Sequence, residues 1–331
     1  MDARELARWL RIVSSNRLVN PDPVTWANTG HGGYCFSLDF CTDAEVLAGR
    51  CEVLTLPAAR SGACPLFVEL CAGLASVSLV LQGGRHARPP VSRMGNKRGY
   101  AEAILWACGL RQGQGAHRFL WCEPDPGCSA LLRAYGQPEV LREAAEIIRG
   151  WADEDPRELW ERLKAEGPIK AATAEDVARW TVIQGMSLGG SGSGYCASGR
   201  HASCAGMADG LSVRLPDITV APDAREIDPP DLPAGSVVFI DPPYVGTTGY
   251  GHDLPRAAVV EMARRWKDAG ALVCISEQEA LPELMVEGWH ALDITSTRKG
   301  QKRTFSKQQA EWLTMSEAPR WRPAVQVGLF G

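Results

Sequence analysis

Several features are scarce in this chain of 331 residues, and each scarcity excludes something. No run approaches the ~18 to 20 consecutive apolar residues that span a bilayer, so no transmembrane helix is expected. The opening Met1-Asp2-Ala3-Arg4-Glu5-Leu6 lacks the basic-then-apolar layout of a secretion signal. A cytoplasmic location is the resulting expectation. Excess charge of one sign is lacking too: the net charge is −4, so any surface for nucleic acid has to be local. The 11 cysteines include no Cys-x-x-Cys pair and no framework like that of a small secreted domain. In a reducing compartment they read as buried thiols. Cys196, His201 and Cys204 alone are spaced to suggest a metal. Zinc needs about four ligands, and with no second pair none is expected. Internal repeats and long low-complexity tracts are absent as well.

What remains is ordinary for a soluble globular protein, with 45% hydrophobic and 22% charged residues. The length exceeds that of a typical single domain, which suggests one α/β core with an inserted or flanking subdomain. An amphipathic helix is expected over Ala3 to Val13, then an irregular Gly/Pro/Asn-rich stretch from Asn20 to Gly33. Residues 1–60 form an arm whose role is not legible. From Pro65 the pattern changes. Leu66-Phe-Val-Glu-Leu70, Phe119-Leu-Trp-Cys122, Val237-Val-Phe-Ile240 and Ala271 to Ile275 read as short buried strands. Helices are expected through Leu81, near Ser129 to Tyr135 and over 255–269. Strands alternating with helices predict a parallel, doubly wound sheet. A helical stretch at 137–184 and the Gly/Ser-rich Ser187 to Tyr195 are too long for a crossover. The expected organisation is a core of 61–136 and 216–316, an insert of 137–215 and a tail of 317–331.

In such sheets a ligand sits beyond the carboxyl ends of the strands. Three strand ends carry informative residues. Glu69-Leu-Cys71-Ala72-Gly73 places small residues where a backbone can approach a ligand closely, although an ordinary strand-to-helix turn has the same composition. It lacks the GxGxxG spacing of dinucleotide oxidoreductases. Glu123 ends the next strand, where a carboxylate can accept hydrogen bonds from a ribose diol or simply lie at the surface. The third end is Asp241-Pro242-Pro243-Tyr244, directly after an apolar strand. Consecutive prolines stop the strand and leave backbone carbonyls unused by any ladder. That suits methylation of an exocyclic amine, whose lone pair is delocalised into the base. With one N–H accepted by Asp241 and the other by the carbonyl of Pro242, the nitrogen can pyramidalise. Tyr244 can stack on a base drawn out of a duplex.

These residues resemble the Dam-type adenine-N6 DNA methyltransferases, in which Asp-Pro-Pro-Tyr is the catalytic motif. The resemblance runs from about residue 65 to 316, without its middle. It implies a Rossmann-like S-adenosylmethionine-dependent methyltransferase sheet with an inserted, mainly helical, target-recognition-like subdomain. It assigns Glu69, Cys71, Ala72 and Gly73 to the cofactor motif, with Cys71 where a phenylalanine is usual. Arg93-Met94-Gly95-Asn96-Lys97-Arg98 is similar to the family's Gly-Gly-Lys cofactor motif, Asn96 replacing the second glycine. Glu123-Pro-Asp125 corresponds to the acidic ribose motif, and Asp223 to the acid that contacts the cofactor's adenine. Cys274-Ile-Ser276 and Glu311-Trp-Leu-Thr314 match weaker family positions. Two features depart from the family: its lysine segment usually precedes the cofactor-motif strand but here follows it, and the insert lacks the usual recognition signature.

Two basic stretches are candidates for nucleic acid, Arg85 to Arg98 and Arg298 to Lys307. The first includes Arg85, Arg88, Arg93, Lys97 and Arg98. In the second, Arg298, Lys299, Lys302, Arg303 and Lys307 are expected to contact the DNA backbone, on a hairpin flanked by Thr295-Ser-Thr297 and Thr304-Phe305. Near the end, Gln326, Leu329 and Phe330 resemble the peptide by which bacterial replication and repair proteins dock on the DNA sliding clamp. The expected setting is a bacterial or phage-infected cell. Two alternatives stay open: an amino-methyltransferase acting on cytosine N4 or RNA, and a catalytically silent DNA-binding homologue.

Overall fold

The computed structural model describes three short strands within the first 63 residues and then residues 64–323. Within the latter span, 85–86, 94, 116, 170–171, 197–202, 213–214, 216–217, 245–253 and 299–309 lie outside the description. The chain divides into two compact units, Met1–Ala63 and Cys64–Gly331. In the first, β1 (Trp26–Asn28), β2 (Tyr34–Phe36) and β3 (Glu52–Leu54) form an antiparallel sheet in the order β2-β1-β3. β1 falls inside the stretch expected to be irregular. Three residues between Gly/Pro/Asn clusters are too few to show a strand's alternation. The helix expected over Ala3 to Val13 lies outside the described residues.

The second unit is an α/β layer structure. Its strands are β4 (Leu66–Leu70), β5 (Arg118–Cys122), β6 (Ile218–Ala221), β7 (Val237–Ile240), β8 (Leu272–Glu277), β9 (His290–Asp293) and β10 (Trp312–Met315). They pair in the order β6-β5-β4-β7-β8-β10-β9. β4 to β8 are mutually parallel, and β10 runs antiparallel to both β8 and β9. The sheet is Rossmann-like, as expected for buried runs rich in Val, Ile and Phe. Successive residues face opposite sides. Phe67, Trp121, Phe239 and Cys274 enter one apolar layer, whereas Val68, Leu70, Val238, Ile240, Val273 and Ile275 enter the other.

Helices cover both faces. The first layer holds α1 (Ser76–Gly83), α2 (Ala101–Ala107), α3 (Pro126–Ala134), α4 (Pro138–Gly150), α5 (Pro156–Ala165), α6 (Ala174–Gly185) and α7 (Cys204–Gly210). The second holds α8 (Arg256–Asp268) and α9 (Pro282–Met285). Proline at the first turn with an Asp cap starts α3 and α5, where Asp125 accepts from the Cys128 amide and Asp155 from those of Arg157 and Glu158. Residues 137–215, expected as an inserted subdomain, are indeed helical in large part. Their helices share one hydrophobic core with α1 to α3. Gly127 of α3 presses on Trp180 of α6 so closely that a Cβ there would stand 2.0 Å from the indole.

Two other elements differ from expectation. β6 is a half-buried edge strand with little apolar periodicity to announce it. The hairpin near the chain's end is made by β9 and β10, while Thr295–Thr297 is a single 3-10 turn at its base and Thr304-Phe305 lie outside the described residues. Threonines close the turn with side-chain bonds and do not extend the ladder. Among the described residues no helix is long and apolar enough to cross a membrane.

The strand order reverses between β4 and β7, whose carboxyl ends meet where the Asp241 amide donates to the Leu70 carbonyl at 3.1 Å. A switch of this kind opens a crevice beyond the strand ends.

Candidate functional site

The loop after β4 forms one wall of that crevice. Cys71, Gly73 and Ala75 all have positive φ, at 62°, 51° and 48°. For the two non-glycines this costs of order 1 kcal/mol each, and the surroundings hold the loop in place. The Ala72 amide donates to the Cys122 carbonyl at 2.8 Å, the Gly73 amide to Glu123 Oε2 at 2.8 Å, and the Cys128 thiol to the Gly73 carbonyl at 2.8 Å. Glu123 thus ties β5 to the loop. Its Oε1 also accepts from the Asp125 amide at 3.0 Å and stands 3.5 Å from Arg93 Nη1. Burial raises its pKa, and the Arg93 guanidinium works against that rise. Oε2, bonded to the Gly73 amide, keeps a second lone pair that a ligand hydroxyl can use.

Glu69, expected among the cofactor contacts, is turned elsewhere. It sits within β4 with its carboxyl beneath α1, where Oε1 accepts from the Ser78 amide at 2.5 Å. Burial pushes its pKa up to about 8. Its contact is with the start of a helix, because the side chain leaves the strand on the core face and not at the strand's end.

The opposite wall is the turn after β7. Lys97 Nζ lies 2.7 Å from Asp241 Oδ1 and 3.9 Å from Glu311 Oε1, donates to the Gly95 carbonyl at 3.2 Å, and stands 4.6 Å from the centre of the Tyr244 ring. The Tyr244 hydroxyl donates to Glu311 Oε1 at 2.6 Å and lies 3.2 Å from Ser276 Oγ, which itself donates to Glu311. Burial alone would disfavour the Lys97 charge, but Asp241 and Glu311 outweigh it and raise the pKa. Burial likewise pushes Asp241 up to about 6, with Lys97 opposing. At neutral pH the pair is therefore an ammonium against a carboxylate.

The lysine segment reaches Asp241 even though it follows β4 in the chain. The connection after α1 returns across the strand ends as a 3-10 turn, Lys97–Gly99, capped by Asn96, whose Oδ1 accepts from the Arg98 amide at 2.7 Å. Gly95 has φ 79°, and Met94 lies outside the described residues. Arg93 joins the other wall, pairing with Glu123 and with Asp125 at 3.4 Å.

These contacts correct the reading of Arg85 to Arg98 as a basic face. Arg93 and Lys97 point inward, drawn by carboxylates that would otherwise be buried unpaired. Arg88 is exposed and Arg85 lies outside the described residues. Asp223, just beyond β6, is held by Arg225 through the amide at 2.9 Å and the guanidinium at 2.6 Å. Arg298 is exposed, 5.9 Å from the centre of the Tyr100 ring. Lys299, Lys302, Arg303, Lys307, Gln326, Leu329 and Phe330 lie outside the described residues, as does His201. Among the described residues no group of three His, Cys, Asp or Glu side chains is arranged to hold a metal.

Compared with known proteins, the chain matches no protein-family profile and no curated sequence. The site therefore rests on its own geometry. Three members, Arg93, Ser276 and Glu311, entered the sequence reading within segments that resemble the family's motifs, with no site role of their own. Beyond that likeness their signal is a polar or charged residue at or beside an apolar strand or strand-end loop, which a solvated face mimics. The arrangement combines a carboxylate held anionic by a lysine, a turn whose prolines lack N–H groups, an aromatic ring, and a small-residue loop backed by a second carboxylate. It suits a ligand with hydroxyls at Glu123 and an amine at Asp241.

Proposed function

We propose that this protein is an S-adenosylmethionine-dependent methyltransferase that acts on the N6 amino group of adenine in DNA. The observation that carries the reading is the placement of Asp241-Pro242-Pro243-Tyr244 across the strand-order switch from the Gly73 loop and Glu123. S-adenosylmethionine supplies an electrophilic methyl group on a sulfonium. The donor set fits it: Glu123 for the ribose hydroxyls, Asp223 near the adenine, and several carboxylates around a cationic group. The antiparallel β10, inserted between β8 and β9, also separates this sheet from the 3-2-1-4-5-6 order of dinucleotide-binding folds.

In this reading Asp241 accepts one amino hydrogen of the target base and the Pro242 carbonyl the other, which frees the nitrogen lone pair. Lys97 keeps Asp241 ionised and so able to accept. Its ammonium lies against the Tyr244 ring, and the ring serves the extruded base as a stacking surface. The residues orient and desolvate the reacting pair, with no strong base required. Arg298 and the lysines and arginine that follow it would grip phosphates, and the tail from Gln326 would dock on the sliding clamp.

The test is expression in a host free of DNA methylation, followed by nucleoside analysis of its DNA and RNA. N6-methyladenine in DNA, absent with Asp241→Ala, is the expected result. Its absence with the wild-type chain overturns the proposal, and N4-methylcytosine or methylated RNA redirects it to the related amino-methyltransferases.

A further inference from the structure

We infer that Glu311 is a positioning residue, joining the turn after β9 to the turn at 241–244 by holding the Tyr244 hydroxyl with its side chain and Ile294 and Thr295 with its main chain. The inference rests on the proposed methyl transfer and adds to it a residue and a coupling.

One oxygen, Glu311 Oε1, gathers groups from three other segments. Tyr244 comes from the turn after β7, Ser276 from β8, and Lys97 from the 3-10 turn ahead of α2. The residue is 5% exposed, so its charge is not there for solubility. An isolated carboxylate of that burial is costly, and here a hydroxyl pair and an ammonium satisfy it. The Tyr244 ring is fixed twice, at its hydroxyl by Glu311 and on one face by Lys97. A ring so held cannot swing about its stem, and that rigidity is what a stacking platform needs.

The main chain of Glu311 has a second task. Its amide donates to Thr295 Oγ1 at 2.9 Å, and its carbonyl accepts from the Ile294 amide at 2.9 Å. These bonds tie the start of β10 to the turn that follows β9.

A group that merely filled space would leave the pH profile alone. Glu311 should not, because it faces Asp241 together with Lys97, Tyr244, Glu69, Cys71 and Glu277. Its negative charge opposes ionisation of Asp241 and of the Tyr244 phenol.

The experiment compares the full-length wild type with Glu311→Gln, Tyr244→Phe and the double variant, and with Ser276→Ala as a milder disturbance of the same oxygen. Single-turnover transfer to unmethylated genomic DNA and the pH dependence of kcat/KM are measured. Glu311→Gln is expected to lower kcat about 100-fold with KM for S-adenosylmethionine unchanged, and to move the acid limb to lower pH. Adding Tyr244→Phe should cause little further loss. Full kcat in Glu311→Gln, or losses that multiply independently, would overturn the inference. Should the wild type transfer no methyl group, the functional reading fails on its own. The inference is then decided by the ring-flip rate of Tyr244 in aromatic NMR, assigned by its absence in Tyr244→Phe. Faster flipping in Glu311→Gln supports it, and an unchanged rate refutes it.

Discussion

Replacing Lys97 with methionine tests the electrostatic centre of the site. The change removes the ammonium 2.7 Å from Asp241 Oδ1 and keeps an unbranched stem. At that separation and an effective dielectric of about 20, the attraction is roughly 6 kcal/mol before desolvation is counted. Stripping one member from a buried pair leaves about 3 kcal/mol or more uncompensated. The carboxyl relieves this by binding a proton. Asp241 already stands at about 6 against its ordinary 3.8, because burial raises it and Lys97 only partly restores it. Another 3 kcal/mol equals about two pH units, which lifts the variant's carboxyl above neutrality and leaves less than about a tenth of it ionised at neutral pH. Single-turnover methyl transfer near pH 7 should then fall about tenfold and recover as the pH is raised. The assay is the full pH profile on unmethylated genomic DNA with saturating cofactor. An acid limb left where the wild type has it, or a uniform loss at every pH, would refute the claim that Lys97 keeps Asp241 ionised.

Other perturbations address the fold and the outer surface. Glu69 is raised from 4.5 to about 8 by burial, so between those values the folded chain holds a proton that the unfolded chain has released. Stability contributed there falls as pH rises through that window; Glu69→Gln should gain on the wild type between about pH 5 and pH 9, by at most ~5 kcal/mol. Melting temperatures across that range check this, and a difference that does not grow with pH contradicts it. Gly190 has φ 68°, and a Cβ there would lie 1.9 Å from the Ser92 carbonyl oxygen. Gly190→Ala should lose about 3 kcal/mol in a denaturant titration, whereas Gly150→Ala, where a Cβ meets nothing, should stay within about 0.5 kcal/mol. Neutralising Arg298, Lys299, Lys302, Arg303 and Lys307 together should flatten the logarithmic salt dependence of duplex binding by about 4 to 5. An unchanged slope would remove that run from the DNA contact.

The central sheet was legible because its strands are short, mostly apolar runs that end in chemistry. Leu66–Leu70 and Val237–Ile240 have the bounds read from the residues, and Asp241 and Gly73 fall where those strands stop. β6, β9 and β10 were not legible, since each lacks the continuous apolar run of β7 and takes its structure from pairing with its neighbours. The site divides the same way. Glu123 and Asp241 were visible as local features of strand ends. The pairing of Lys97 with Asp241 and the gathering of Tyr244, Ser276 and Lys97 on Glu311 depend on the crossover's path and on the last hairpin, which no local pattern encodes. The departure in chain order has a related cause. Which element precedes which matters less to a strand-end crevice than which connection passes over it.

The placement of β10 has a consequence for how the molecule is made. It follows both β8 and β9 in the chain, yet it sits between them, and among the described residues β9 pairs with β10 alone. Until residue 315 has emerged, β8 has an open edge and Tyr244 lacks Glu311. A nascent chain halted before that point holds the Gly73 loop, Lys97 and Asp241 without the carboxylate that orients the ring. The Tyr244 hydroxyl therefore gains its acceptor only once β10 has paired with β8.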